Sequence, residues 1–544
     1  MNKKYLLLAG TLLSAAVVNA ANPFLPLWEF IPDGEPYVFE DPDNPGKMRV
    51  YLYGSHDIRE KYYCGRDQVV WSAAVEDLNH WRCDGVSFRS LNDANGKPLS
   101  KMNDGDVLFA PDVTVTKDAN GKKTYWLYPN TQAWGRGGQI AKSDRPDGPF
   151  TVCNWTDGRP RECYGILGFD PAVFTDDDGR VYGYWGFQES YGAELDPKTM
   201  CTVKPGTEIV KDMISNKNQP GVFRFFEASS MRKIKDKYVF IYSRWTAKGD
   251  HGLGETNYTL AYAYSASPLG PFTYGGTLID GRARETRPDG RVVHTATPSG
   301  NTHGSLCEIN GRWWVFYHRQ SGDNEFSRQA MVAPVEVTVE EGKGGRVVIT
   351  EGEYNSEGFE IGGLNPFEVH AAGIACYYTG TRPSRQSYPV VYYPGPYFRP
   401  FRGDFYEKKD PYAENINRSD AVHITSGSTL GYKYFNFDAF KGRDTAELEL
   451  KYLPQGIEGK IEVWARRPNA AEGGVKLSEA KIAAEGGVKL GEAKIAADRD
   501  EKEKTLSVKL THLKSLTGKV AVYFNFTSQI QDVSICELKN FKFK

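Results

Sequence analysis

Asp178-Gly179-Arg180-Val181-Tyr182-Gly183-Tyr184-Trp185 is a tight turn feeding a strand dense in aromatics. It decides the fold because the chain repeats it. Val50-Tyr-Leu-Tyr-Gly54, Tyr125-Trp-Leu-Tyr128, Tyr238-Val-Phe-Ile-Tyr242 and Trp313-Trp-Val-Phe-Tyr317 are the other copies. Turns such as Asn44-Pro45-Gly46-Lys47, Asn120-Gly121-Lys122 and Asn310-Gly311-Arg312 precede them, which is hairpin chemistry leading into β structure. The intervals between copies leave room for four strands and their loops. A second element, at Ser72 to Trp81, Ser143 to Phe150 and Ser265 to Phe272, reads as one outer strand and its turn, copied around a ring. The expectation is an all-β chain with a five-bladed β-propeller over residues 22–350. Unrelated hairpins in two sandwiches are the competing arrangement.

Glu340-Glu341-Gly342-Lys343-Gly344-Gly345 and the Glu351-Gly352-Glu353 that follows read as a closing strand and a boundary. Beyond them, alternation at Ala446 to Tyr452, Lys460 to Trp464, Thr505 to Lys509 and Lys519 to Phe524 predicts a β-sandwich domain over 360–544. Within it, residues 471–483 recur at 484–496 with Ser478 replaced by Gly491. Two copies are too few for a solenoid, so the segment reads as a duplication absorbed in a loop or extended hairpin.

Lys plus Arg is 67 and Asp plus Glu is 69, a net charge of −2, which provides no overall field to draw in nucleic acid or an anionic membrane. Apolar residues at 40% and aromatics at 13% argue for large cores over disorder. Asn2-Lys3-Lys4, the apolar run from Tyr5 to Val18 and the small residue Ala20 read as a signal peptide over 1–20, and so as export to the periplasm or beyond. No later run is long enough to span a bilayer. Among the eight cysteines there is no CxxC pair, so a thiolate zinc site is not expected. Export would permit Cys153 with Cys163 and Cys376 with Cys536 to bridge, with buried free thiols the alternative.

Function must come from side chains gathered at one mouth of the ring. Asp33 lies in Ile31-Pro-Asp-Gly-Glu-Pro36, Asp170 in Gly168-Phe-Asp-Pro-Ala172, and Glu227 in Phe225-Phe-Glu-Ala-Ser-Ser-Met-Arg232. Each precedes an aromatic strand, so a ring would bring them together. Taken alone, Asp33 and Asp170 suit Pro-Asp-Gly and Asp-Pro turns equally well. These segments join Asn22-Pro23, Ala110-Pro111-Asp112, Asp177-Asp178-Gly179 and Thr302-His303-Gly304-Ser305 leading to Tyr317-His318. In that order they resemble glycoside hydrolase family 43, in its arabinofuranosidase and xylosidase group, over roughly residues 22–350.

The resemblance implies a five-bladed propeller and inversion at the anomeric carbon. It also implies that Asp33 is the general base, Glu227 the general acid, and Asp170 the carboxylate that orients the acid and raises its pKa. The first motif reads Asp-Gly-Glu-Pro where the family usually has Asp-Pro, which makes Glu35 a rival base; Asp112 is a rival third carboxylate. His303 stands where many relatives bind a hydrated calcium ion, whose shell waters would complete; a buried, hydrogen-bonded histidine is the alternative. No organic cofactor is expected. Trp134, Trp185 and Trp245, each at or just past the end of a strand, are candidates to stack on sugar. Arg319 suits a sugar hydroxyl or a catalytic carboxylate. The C-terminal region resembles a carbohydrate-binding module, on Tyr377-Tyr378, Tyr392-Tyr393, Tyr397-Phe398 and Tyr432 to Asn436; covering the propeller is an equal reading. The expected activity is exo-hydrolysis of terminal pentose from plant oligosaccharide or polysaccharide. α-L-arabinofuranose is the first choice, β-xylose the second and endo-action the third, with a sugar-binding propeller lacking turnover as the reading from another class.

Overall fold

The computed structural model describes residues 21–544 except 60–61, 215, 217–218, 287–288, 299, 323, 381–384, 388–389, 393–394, 401–416, 467–486 and 500. The signal-peptide reading, the first copy of the duplicated segment and the Tyr392-Tyr393 pair fall on residues outside that description, in whole or in part. Apart from four short 3-10 turns, the regular structure of the described residues is all β.

Four four-stranded antiparallel sheets and one three-stranded sheet occupy the first part of the chain, each built from strands consecutive in sequence. Their first strands are Glu35–Glu40, Asp112–Lys117, Ala172–Thr175, Phe225–Ile234 and Ser305–Ile309. The five aromatic repeats are the second strands: Met48–Tyr53, Lys123–Tyr128, Val181–Phe187, Lys237–Arg244 and Arg312–Gln320. A second strand is paired on both edges and covered on both faces, and Lys237–Arg244 is buried at every position. That is why these runs read as nearly continuous hydrophobic stretches. The Ser143 to Phe150 and Ser265 to Phe272 elements turn from third strand to fourth. Gly148 and Gly270 take φ of 81° and 86° there, a conformation that favours glycine.

The first strands of the five sheets lie side by side. The Tyr37 hydroxyl donates to Asp112 Oδ1 (2.7 Å) between the first two sheets, and Thr114 and Thr175 hydroxyls meet at 2.9 Å between the next two. The first strands of the third and fourth sheets pack directly together. Arg232, on the fourth sheet, links the fifth and the first: Nε donates to Leu306 O (2.8 Å) in the fifth sheet, and Nη2 to Glu35 Oε2 (2.8 Å) in the first.

The closing strand expected near residues 340–360 takes a different form. Val347–Ile349 pairs only with Val337–Val339, as a separate two-stranded hairpin. The outer edge of the fifth sheet, Arg328–Val335, is met instead by the chain's first described residues. The Asn22 carboxamide donates to Val332 O (2.7 Å) and accepts from Val332 N–H (3.1 Å), doing for one residue what a fourth strand would do. Phe24, Leu25 and Trp28 then pack in a core shared by the first and fifth sheets.

Beyond residue 360, a six-stranded sheet and a five-stranded sheet share one core. Tyr432 and Phe524 of the five-stranded sheet meet Phe541 of the six-stranded one at ring distances of 4.7 and 5.0 Å. The second copy of the duplicated segment supplies an edge strand, Val488–Ile495.

Neither Cys153 with Cys163 nor Cys376 with Cys536 forms a bridge, which corrects the suggested pairings. The Cys153 thiol turns to Ile140 O and Cys163 accepts from Gln139. Cys376 turns to Gly431 O beside the five-stranded sheet, while Cys536 opens a strand of the six-stranded one.

Arg232 offers a test of this packing. It is paired with the fully buried Glu35 and lies 4.4 Å over the Tyr37 ring. Arg232→Met strands a carboxylate in the interior, so chemical denaturation should show a loss of about 3–5 kcal/mol.

Candidate active site

The first strand of each sheet starts at the face where the second strand ends, because consecutive strands are antiparallel. Residues just before or at the start of a first strand therefore share one face with the loops that follow second strands. Asp33, Asp170 and His303 precede first strands, and Glu227 lies near the start of one. The topology thus gathers them without any local sequence motif.

Backbone geometry aims the three carboxylates. Asp33 and Asp170 take φ of 59° and 46°, and Ala228, next to Glu227, takes 67°. The pairing register of Phe225–Ile234 slips on both sides of Glu227, a bulge of the kind that re-aims a side chain. Left-handed non-glycine residues cost energy and concentrate at functional sites.

Asp33 is buried and saturated with partners. Oδ1 accepts from Arg328 Nη1 (2.9 Å) and Oδ2 from the Ser55 hydroxyl. Its backbone N–H donates to His318 Nδ1 (3.2 Å), while His318 Nε2 meets Asn301 O at 2.9 Å. Those contacts assign a neutral ring with its proton on Nε2. Burial, then the neighbouring Arg328 cation, push the imidazole down to about 3. Burial opposes ionisation of Asp33 too, but Arg328 foremost outweighs it and holds the carboxyl below its ordinary value.

Glu227 is set the opposite way. It is half-buried, and no protein group hydrogen-bonds its carboxyl among the described residues. Burial, then the charges of Asp170 and Asp33, push it well above the ordinary glutamate value. Asp170 accepts from Asn130 Nδ2 (2.9 Å) and, through Oδ2, from Ala228 N–H (3.1 Å). It therefore grips the backbone that carries Glu227. Burial and then Asp33 raise Asp170 to about 6, against the pull of His303.

The rival carboxylates are occupied elsewhere. Glu35 is fully buried on Arg232 and the Ser230 hydroxyl. Asp112 is tied to the Tyr37 hydroxyl and to the backbone N–H of Val113 and Val173; burial, with the Glu35 charge, raises it to about 7. Asp112 braces neighbouring first strands, and Glu35 ties the first sheet to the fourth.

His303 sits between Glu35 Oε1 and Asp170 Oδ2, 3.7 Å from each. Burial would lower its pKa, but Glu35, Asp170 and Asp33 raise it to about 9. Neither ring nitrogen has a hydrogen-bond partner among the described residues, nor has Glu35 Oε1. No cluster of three His, Cys, Asp or Glu with metal-binding geometry occurs among those residues. The orphaned ring nitrogens fit a hydrated cation held by His303 and waters, in place of the ring's second proton.

Arg319 is not at the site. It is fully buried, with Nη1 on Ala375 O (2.7 Å), Nη2 on Gly373 O and the guanidinium 4.8 Å over Phe398. Strand alternation sends it away from the face that His318 serves. The arginine at Asp33 is Arg328, on the strand paired with Arg312–Gln320. No spacing in the sequence marks it, because the contact joins the fifth sheet to the segment before the first, 295 positions away.

Trp185 is also buried, stacked on Tyr191 at 5.7 Å. Trp134 is 84% exposed on the loop after the second strand of the second sheet. Trp245 is 37% exposed, 5.3 Å from the Phe226 ring. Phe226 in turn meets Phe187, which is 50% exposed, and Phe187 meets Phe169. Phe169 and Phe226 immediately precede Asp170 and Glu227. The result is an apolar wall beside two of the carboxylates that individual tryptophan positions did not reveal. The hairpin under it turns on Gln188 alone.

The family model for glycosyl hydrolases family 43 matches residues 34–341. The chain belongs to that family. The family is one of glycosidases. A xylosidase/arabinosidase of Thermoclostridium stercorarium is 35% identical over 341 residues, 58% of this chain and 64% of that enzyme's length. Xylosidase/arabinosidase 43A of Humicola insolens is 32% identical over 313 residues, 50% of this chain and 84% of its own. Among solved structures, a family 43 arabinoxylan arabinofuranohydrolase from Bacillus subtilis is similar at a TM-score of 0.42 and 19% identity, over 98% of this chain and 99% of that one.

The charge on Asp170 has a stability signature. Its folded value of about 6 lies above the ordinary 3.8, so the folded state keeps a proton that the unfolded chain releases. That contribution is whole below about pH 4 and is lost as pH rises through 6. Asp170→Asn, which cannot ionise, should melt higher than wild type at pH 8, with the gap closing near pH 4.

Proposed function

We propose that the enzyme is an exo-acting, inverting glycosidase that removes terminal pentose from plant oligosaccharide or polysaccharide, with α-L-arabinofuranose as its first substrate. The five N-terminal sheets would be the blades of a propeller domain over 22–350, and the two C-terminal sheets a β-sandwich domain over 360–544. One observation carries the reading. In a single cluster, Arg328 favours the ionised form of Asp33, while burial and Asp170 favour the protonated form of Glu227. That is the division an inverting hydrolase needs.

Asp33 accepts a proton from the attacking water, whose oxygen bonds to the anomeric carbon. As the glycosidic bond breaks, Glu227 gives its proton to the departing oxygen on the opposite side. Asp170 keeps the acid protonated by its charge and holds its backbone through Ala228. A calcium ion held by His303 and waters would supply positive charge beside the carboxylates. The names of relatives that join xylosidase with arabinosidase support both pentoses, so β-xylosidase is the second reading. The wall of Phe169, Phe187, Phe226 and Trp245 beside the acid suits the apolar face of the sugar that leaves. Export to the periplasm or medium fits such a substrate; no described helix is long and apolar enough to cross a membrane.

Release of p-nitrophenol from the α-L-arabinofuranoside and β-D-xylopyranoside tests the assignment. Wild type should favour the arabinofuranoside, and Glu227→Ala should lower kcat on an oligosaccharide by about 100- to 10,000-fold. Activity of Glu227→Ala equal to wild type would overturn it. Phe187→Ala should raise KM for an oligosaccharide by about three- to tenfold and leave KM for a methyl glycoside nearly unchanged.

A further inference from the structure

The C-terminal sheets do more than lie against the first five. Arg319 is buried with no carboxylate in salt-bridge range among the described residues. Its charge is spread over Ala375 O, Gly373 O, the Phe398 ring and Gln329 Oε1, which accepts from Nε (3.2 Å) and Nη2 (3.0 Å). The grip continues along the strand. The Tyr378 hydroxyl donates to Gln320 O (3.3 Å) and meets the Thr297 hydroxyl at 3.1 Å. Phe398 N–H donates to Ser321 O (2.8 Å). Three consecutive residues, Arg319 to Ser321, are thus held by the C-terminal region, and they directly follow His318.

Those residues belong to the elements that hold Asp33. His318 accepts from the Asp33 backbone. In the hairpin, Arg319 pairs with Gln329 and Gln320 with Arg328, the guanidinium on the Asp33 carboxylate. The Gln329 carboxamide also donates to Leu27 O (2.7 Å), on the segment leading to Asp33. The lock therefore touches the strand of His318, the strand of Arg328 and the approach to Asp33 itself. A module that only tethered the enzyme to polysaccharide would need no buried polar contacts at this point.

We propose that the C-terminal sheets brace the catalytic base, and that Arg319 is a positioning residue acting through His318 and Arg328. The inference rests on reading Asp33 as the base. Asp33 is faced by Arg328, His318 and Ser55, by His303 from the loop before the fifth sheet, and by Asp170 and Glu227; Asp57 backs Arg328 and Cys64 lies beside it.

The test uses the full chain with Arg319→Met, Arg319→Lys and Tyr378→Phe, and Asp33→Asn beside them. Arg319→Met should lower kcat about tenfold through misplacement, with KM within about twofold of wild type. Its acid limb of kcat/KM should move to higher pH, because a looser Arg328 lets Asp33 keep its proton longer. A mere loss of folded enzyme would not move that limb. Arg319→Lys should recover part of both effects, and Tyr378→Phe should show a smaller change in the same direction. Hydrogen exchange should quicken in residues 24–36 and 312–335. Wild-type kcat and acid limb in folded Arg319→Met overturn the brace. If that variant does not fold, the same result in Tyr378→Phe overturns it. Full activity in Asp33→Asn would instead refute the base assignment; the exchange data would then judge the brace separately, with unchanged exchange in 24–36 refuting it.

Discussion

A guanidinium buried between two aspartates organises this molecule. Arg328 gives Nε and Nη2 to Asp57 and Nη1 to Asp33, and lies 4.7 Å over the Tyr63 ring. Any one of these charges alone in the interior would be costly; together they satisfy one another. The three come from the segment before the first sheet, the loop after its second strand, and the edge strand of the fifth sheet. The interaction therefore joins the beginning of the first five sheets to their end, close to where Asn22 completes the edge at Val332. The placing of Asp33 and the meeting of the first and fifth sheets depend on the same contacts.

The low dielectric that makes Arg328 indispensable also separates the carboxylates. Burial disfavours every charged carboxyl in the cluster, so the outcome turns on which one has a cation. Asp33 has Arg328 and remains ionised. For Glu227, burial and then the charge of Asp170 outweigh the pull of His303 and Arg328, so its proton is held more tightly than usual. Asp170 lies between them, with two N–H donors and one imidazole. Three residues of nearly identical chemistry are given three different proton affinities by what stands beside them.

Much of this was legible along the chain. The aromatic runs mark the second strands because a strand covered on both faces must be apolar throughout. The motifs around Asp33, Asp170 and Glu227 mark residues that do converge. Legibility failed where strand alternation and long-range pairing decide the matter. His318 and Arg319 are neighbours, yet successive side chains point to opposite faces, so one reaches Asp33 and the other the C-terminal carbonyls. Trp185 and Phe187 share a face of one strand and differ by position along it, the first buried against Tyr191 and the second at the strand's exposed end. Arg328 carried no signal at all, because its partners lie 271 and 295 positions away.

The sequence by itself determined the all-β class, the repeating hairpins and the family, since turn chemistry and hydrophobic runs act over a few residues and are written locally. Only the tertiary structure decided which arginine pairs with Asp33, which carboxylates are braces, and that the two suggested cysteine pairs stay apart. It also decided that the first described residues and the C-terminal sheets press on the same two strands. Those outcomes depend on distances closed between sheets far apart in sequence and on the burial that follows, and neither exists until the sheets have packed.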